Sequence, residues 1–183
     1  MNKNQEDRRV KRTKKALKQS LLTLLQQKDA AQISVQELTD LADVNRATFY
    51  LHYRDVRDLL LQIEDEAAAE IVAIMEKNPI GKDPEPYQLF VELLCYIQRE
   101  SQLCQAMLAR GRNQSFVDRM CGIVEEYCLQ NWLGQYEKAG PENNNMAYFG
   151  TYAVRGFVAV IEKWVDRGMK ESPEEMAELM GRM

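Results

Sequence analysis

Histidine occurs once in this 183-residue chain, at His52. A Ser-His-Asp or Cys-His site would have to be built on that one side chain, and a di-iron bundle needs a Glu-x-x-His from each of two helices. The four cysteines, Cys95, Cys104, Cys121 and Cys128, contain no C-x-x-C pair. With a single histidine they assemble no familiar zinc set, and reduced core thiols are expected. Neither a G-x-G-x-x-G nor a G-x-x-x-x-G-K-[ST] phosphate loop is present. No catalytic residue, cofactor or metal is therefore expected, and acid/base chemistry by carboxylates is the enzymatic reading that composition leaves open. A run of about 18 apolar residues, the length of a membrane-spanning helix, is also missing, and the N-terminus is charged. No membrane span or secretory signal is read, and the expected location is cytoplasmic.

Glycine and proline are missing from the first 78 residues: all 9 Gly and all 5 Pro lie beyond them. The cluster Asn78, Pro79, Gly81, Pro84 and Pro86 is the strongest break in the chain, and Gly140 with Pro141 and three asparagines is the second. Between the breaks, apolar residues recur at helical steps, as in Val10, Leu17, Leu21, Leu24 and Leu25 or Leu59, Leu60, Ile63, Ala67, Ile71 and Ile74. No sustained alternating run of β-branched residues competes, so the fold class is all-α. The boundaries read are 1–55 for an N-terminal headpiece, 56–77 for a connecting helix, and 78–183 for a C-terminal domain.

The net charge of −4 conceals a division. Residues 1–57 hold 12 Lys/Arg against 7 Asp/Glu, whereas residues 58–183 hold 12 against 21. Positive charge is densest at Arg8, Arg9, Lys11, Arg12, Lys14, Lys15 and Lys18, at the start of what reads as a helix. Such a cluster suits a polyanion, or it is a solvated helix face; charge alone does not separate the two.

Residues 33–53, ISVQELTDLADVNRATFYLHY, carry the most information. Ser34 and Glu37 form S-x-x-E, a capping box in which serine accepts from the third helical amide and glutamate reaches back, with Ile33 and Leu38 at the staple positions. A helix from Val35 to about Ala42 follows, with Val35, Leu38 and Leu41 turned inward. Asp43 then takes a left-handed backbone to turn the chain. Asn45 caps a second short helix running from Arg46 to about His52. Helices this short are marginal alone, so a shared core of Phe49, Leu38 and Leu41 must hold them. With Phe49 inward, Arg46, Ala47, Thr48, Tyr50 and Leu51 occupy the other faces. This is the geometry of a helix-turn-helix, whose second helix enters the DNA major groove N-terminus first.

The segment A-D-V-N-R-A-T-F-Y-L-H-Y, with the helix before it, closely resembles the DNA-binding headpiece of the TetR-type transcriptional regulators. Their pattern is Ala-Gly-Val, a polar cap, then Thr-aromatic-Tyr-x-His-aromatic. The resemblance covers residues 8–75. It implies that Ser34 and Gln36 contact DNA from the first helix of the motif, that Arg46, Ala47 and Thr48 read bases, and that Tyr50 and His52 hold phosphates. Asn45, Leu51, Arg54 and Lys14 complete the DNA-facing set. Asp43 stands where the family usually has glycine, and Val56 where it usually has a phosphate-binding lysine, with Arg54 and Arg57 flanking it. The bland alternative for His52 is a structural hydrogen bond.

Past the headpiece, helices are expected over 56–76, 87–100, 102–109, about 115–138 and about 146–167, with Pro173 in the first turn of a last helix behind Ser172. The resemblance implies that the two long helices pack against those of a second copy. Gly150, Ala153, Gly156 and Ala159 would allow their close approach. The C-terminal domain is thus a helical bundle for dimerisation and ligand sensing. The run GFVAVIEKWVDRGMKESPEEMAELM resembles a branch containing regulators of dihydroxyacetone metabolism. Methionines and cysteines, Cys121 and Cys128 included, read as core residues. Arg155 interrupts an apolar helix; it suits an anionic effector, a buried ion pair or an exposed position. The implied partners are an operator in double-stranded DNA, a second copy of the chain, and a small-molecule effector, with no membrane. A helical protein-interaction module without specific DNA binding is the competing class.

Overall fold

Apolar residues at three- and four-residue steps need a partner surface, and the partner is decided by which faces the short helices can present to one another. The structure, a computed structural model, describes residues 3–79, 87–108, 114–128, 130 and 144–182, and every regular element among them is helical. The chain divides into two compact units, residues 1–66 and 67–183, with the division inside one helix.

The first unit contains α1 (Lys3–Leu25), a short 3-10 turn (Ala30–Gln32), α2 (Val35–Ala42), α3 (Arg46–Tyr50) and the first half of α4 (Val56–Lys77). Leu17 and Leu21 of α1, Leu38 of α2, Phe49 of α3 and Leu59 of α4 are all buried, and this is the unit's core. Ile33 and Leu38, at the staple positions, are buried as well.

Three details of the motif differ from the sequence reading. Ser34 Oγ accepts from the Glu37 amide at 3.1 Å, as expected, but the reciprocal half of the box is not made. The Glu37 carboxylate instead accepts from Lys28 Nζ at 2.6 and 2.5 Å, because an ammonium outcompetes a backbone amide for a carboxylate. Leu41 is 50% exposed rather than inward, and Thr39 is buried in its place. Val35, Leu38, Thr39 and Ala42 follow the i, i+3, i+4, i+7 stripe, and Leu41 falls beside it. The Thr39 hydroxyl donates to the carbonyls of Val35 and Gln36, at 2.8 and 3.0 Å, so its burial leaves no polar group unsatisfied. Finally, α3 ends at Tyr50 instead of His52, which lies in the turn that follows.

The turn between α2 and α3 is as expected. Asp43 has φ 51° and ψ 45°, the Val44 amide donates to the Thr39 carbonyl at 3.0 Å, and the Asp43 amide donates to Asp40 at 3.3 Å. These two bonds are a Schellman motif, which closes a helix through one left-handed residue.

The second unit contains the rest of α4, α5 (Tyr87–Arg99), α6 (Ser101–Leu108), α7 (Gln114–Cys128), α8 (Asn144–Asp166) and α9 (Pro173–Gly181). The expected extension of α7 to Lys138, with Trp132, lies outside the described residues. Helix α9 packs on α5, while α6 and α7 pack on α8. One core cluster gathers Phe90, Leu94, Trp164 and Ala177, and another Met75, Leu89, Cys121 and Val154. The Trp164 indole N–H donates to the Glu171 carbonyl at 3.1 Å, as a buried tryptophan requires. Helix α9 starts as expected, with Pro173 in the first turn behind Ser172, and the structure adds a capping box in which Ser172 and Glu175 exchange both bonds. Three of the cysteines are buried, but Cys95 is exposed on α5, a correction to the all-core reading.

Candidate nucleic-acid interface

A helix of five residues can present a surface only if it is capped and braced from outside. Asn45 Oδ1 accepts from the Ala47 amide at 2.7 Å and starts α3. Phe49 fixes its inner side: it is fully buried, with the Tyr53 ring centroid 5.6 Å away and that of Tyr50 at 5.5 Å. What remains faces outward. Arg46, Ala47, Tyr50 and Leu51 are exposed and Thr48 and His52 are half-buried, with Leu51 at 79% the most open large apolar residue of the chain's described part. An uncovered leucine and alanine beside a guanidinium and hydroxyls is a surface able to meet both base edges and thymine methyl groups.

Arg46 does not extend freely. Its Nη2 donates to Tyr50 Oη at 3.1 Å, and its guanidinium carbon lies 5.6 Å from the centroid of that ring. A cation held over an aromatic face loses less rotamer freedom on binding than a free one. Ser34 and Gln36 are exposed on α2, Ser34 as the cap already described and Gln36 donating to Asp40 at 2.7 Å.

On α1, Arg8, Arg9, Arg12, Lys14 and Lys15 are exposed. Lys14 Nζ lies 5.9 Å from the ring of Tyr53, which puts the basic helix beside the turn that follows α3. Burial is the main cause holding the Tyr53 hydroxyl above its ordinary pKa, so it stays protonated. Lys18 pairs with Glu66 at 3.8 Å.

The start of α4 answers the question posed by Val56. Val56 is buried and makes a core contact. Arg54 is exposed; its amide donates to Asp58 Oδ2 at 2.9 Å, and its guanidinium lies 3.4 Å from Asp58 Oδ1. The Asp58 amide donates to Asp55 Oδ1 at 2.8 Å, so the two aspartates cap α4 between them. Sequence reasoning passed over this pair, although Asp55 three residues before Asp58 is a visible capping signal. The Asp58 carboxyl is held below its ordinary pKa, chiefly by the Arg54 backbone N–H.

Arg155 lies elsewhere, on α8. It is exposed, 2.6 Å from Asp118 and 3.5 Å from Glu125 of α7. Its position is exposed, and its ion pairs are made there. Gly150 and Ala153 line an internal cavity of the second unit, whereas Gly156 and Ala159 are exposed. The four small residues expected on one close-approach face are therefore divided between two faces. No helix among the described residues is long and apolar enough to cross a membrane.

An all-helical chain whose capped, outward-facing short helix follows a left-handed turn belongs to the helix-turn-helix class. Residues 84–183 match the TetR-type family described as "Transcriptional regulator C-terminal region". The chain belongs to the TetR-type transcriptional regulators, a family of regulators and not of enzymes. It is 39% identical over 86 residues to the uncharacterised HTH-type transcriptional regulator YxbF of Bacillus subtilis (strain 168). That match takes in 46% of this chain but 22% of the relative, so the chain spans well under two thirds of that protein. The fold is similar to that of a TetR transcriptional regulator from Streptococcus agalactiae 2603V, at 20% identity and TM-score 0.66, covering 100% of this chain and 98% of the other. It is also similar to the dihydroxyacetone kinase operon activator DhaS, at 20% identity and TM-score 0.59, covering 92% and 91%.

Proposed function

We propose that this TetR-type regulator is a ligand-controlled homodimer that reads a pseudo-palindromic operator. The observation that carries operator reading is the braced helix α3: Phe49 is fully buried while Arg46 and Ala47, the residues after the Asn45 cap, are exposed. Arg46, Ala47 and Thr48 read base edges, with Leu51 against thymine methyl groups. Ser34, Gln36, Asn45, Tyr50, His52, Arg54 and the basic face around Lys14 position the headpiece on phosphates. The proposed division follows function: headpiece 1–55, connecting helix 56–77, and ligand-binding and dimerisation domain 78–183.

Support for the homodimer comes from α8. Tyr148 and Tyr152 are each 77% exposed, and with Gly156 and Ala159 they make an exposed stripe at helical spacing. An apolar stripe edged by small residues is a surface for a like helix. Two-fold symmetry then sets the half-sites about one helical turn apart, roughly 34–36 Å, or a multiple of that. The internal cavity of the second unit supports ligand control. To move occupancy from nearly full to nearly empty, a ligand must prefer one state by about 10⁴-fold.

The test is selection of duplexes from a random pool by the full chain, with the oligomeric state measured by analytical ultracentrifugation. A palindromic consensus and a dimer are expected. Enrichment of no common sequence would overturn operator reading, and a monomer at micromolar concentration would overturn the dimer.

A further inference from the structure

The second unit holds a partly open cavity of about 270 Å³ among α4 to α9. Its wall is built from aliphatic and aromatic side chains, among them Ile71, Leu94, Phe116, Val117, Val154 and Phe157. Among the described residues no charged side chain and no amide lines it; the polar groups on lining residues are the Tyr96 hydroxyl and the thiols of Cys104 and Cys128. Burial raises the thiol pKa of Cys104 to about 12 and that of Cys128 to about 11, so neither supplies an anion. Arg155, which interrupts the apolar run of α8, is absent from the wall and occupied with Asp118.

These observations decide between ligand classes. An anionic ligand would leave water for a wall whose described residues offer no charge to pair it, and the cost of burying an unpaired charge exceeds what apolar contact returns. A small polyol would lose its hydrogen bonds to water for the same reason. A hydrocarbon loses nothing comparable and fills a space that is otherwise empty. For scale, a dry cavity of roughly 150 Å³ lined by Leu, Ile and Phe holds benzene. In proportion, this cavity holds about eleven carbon atoms.

We propose that the cavity binds an uncharged, hydrocarbon-like molecule of about that size, held chiefly by apolar contact. The proposal rests on the ligand-controlled reading above for its consequence at DNA, while the ligand class rests on the wall itself. Among the described residues the wall offers no charged group and, as polar groups, the Tyr96 hydroxyl and two thiols alone, so related uncharged compounds of similar length bind alike and the response is broad within that class.

The experiment titrates the full chain with n-decanol, decanoate and dihydroxyacetone, by calorimetry and by thermal shift, in mildly alkaline buffer where decanoate is fully ionised. Expected is saturable binding of n-decanol, with decanoate weaker by about tenfold or more and dihydroxyacetone without measurable binding. Val117→Phe, which fills the cavity, is expected to weaken n-decanol by about tenfold. Should that variant not fold, Val124→Phe on the half-buried part of the same wall gives the same readout. Decanoate or dihydroxyacetone binding as tightly as n-decanol would overturn the ligand class, as would no binding of n-decanol or its undiminished binding to a folded filled variant. Anisotropy on the selected duplex separates the two claims: n-decanol bound without any change in duplex affinity upholds the ligand class and overturns ligand control.

Discussion

Asp43 is the residue on which the placement of α3 turns, and replacing it by glycine tests the reasoning. A left-handed backbone costs an L-residue roughly 1–2 kcal/mol, and aspartate, whose short side chain can bond locally, sits toward the low end. Glycine removes that strain but loses more freedom on folding, by roughly 0.5–1 kcal/mol. The net for Asp43→Gly is a gain of up to about 0.5 kcal/mol, or a rise of up to about 2 °C in Tm for a chain of this size. Asp43→Ala keeps the Cβ and loses the local polar group, so it destabilises. The same fold carries its own control after α8, where Gly168, at φ 81°, fills the corresponding place: the Met169 amide bonds to the Trp164 carbonyl and the Gly168 amide to Val165, each at 2.9 Å. Thermal unfolding of the two variants, with hydrogen exchange at the Val44 amide that donates to Thr39, reads the effect locally and globally. The expected order of stability is Gly, Asp, Ala. An alanine variant as stable as the glycine variant, or a glycine variant below the natural chain, would refute the strain argument.

Arg46→Ala is expected to weaken the selected duplex by about 1–3 kcal/mol and relax its sequence preference, whereas neutralising Lys14 and Lys15 weakens all duplexes alike and flattens the salt dependence. Titrations of selected and random duplexes at two salt concentrations separate these outcomes. In an alkylation time course followed by peptide mass spectrometry, exposed Cys95 is expected to react first, and Cys104 and Cys128, buried with raised thiol pKa values, last. Acid should loosen the start of α4: Asp58 titrates below its ordinary 3.8, so its stabilising contribution is present above that pH and is lost as pH falls through the lowered value. Asp58→Asn, followed by amide exchange at Leu59, should remove that acid dependence.

What the residues settled by themselves is what depends on neighbours a few positions away. Ser34 and Asn45 as caps, Asp43 as the left-handed turn, Pro173 in the first turn behind Ser172 and the burial of Phe49 were all legible, because each involves bonds or periodicity within one or two helical turns. The tertiary structure decided what depends on elements brought together from farther off. Glu37 turned from its own helix cap to Lys28 in the segment after α1, and Thr39 displaced Leu41 from the core where α2 packs on α1, because no local pattern encodes how these elements meet. The cavity is of the same kind. Apolar residues spread from Ala67 to Met180 read individually as core, and a void among them is a property of how helices pack and not of any one helix. Arg155 shows the converse: the sequence placed a charge on an apolar helix, but only packing against α7 showed that Asp118 meets it at the surface, away from the cavity.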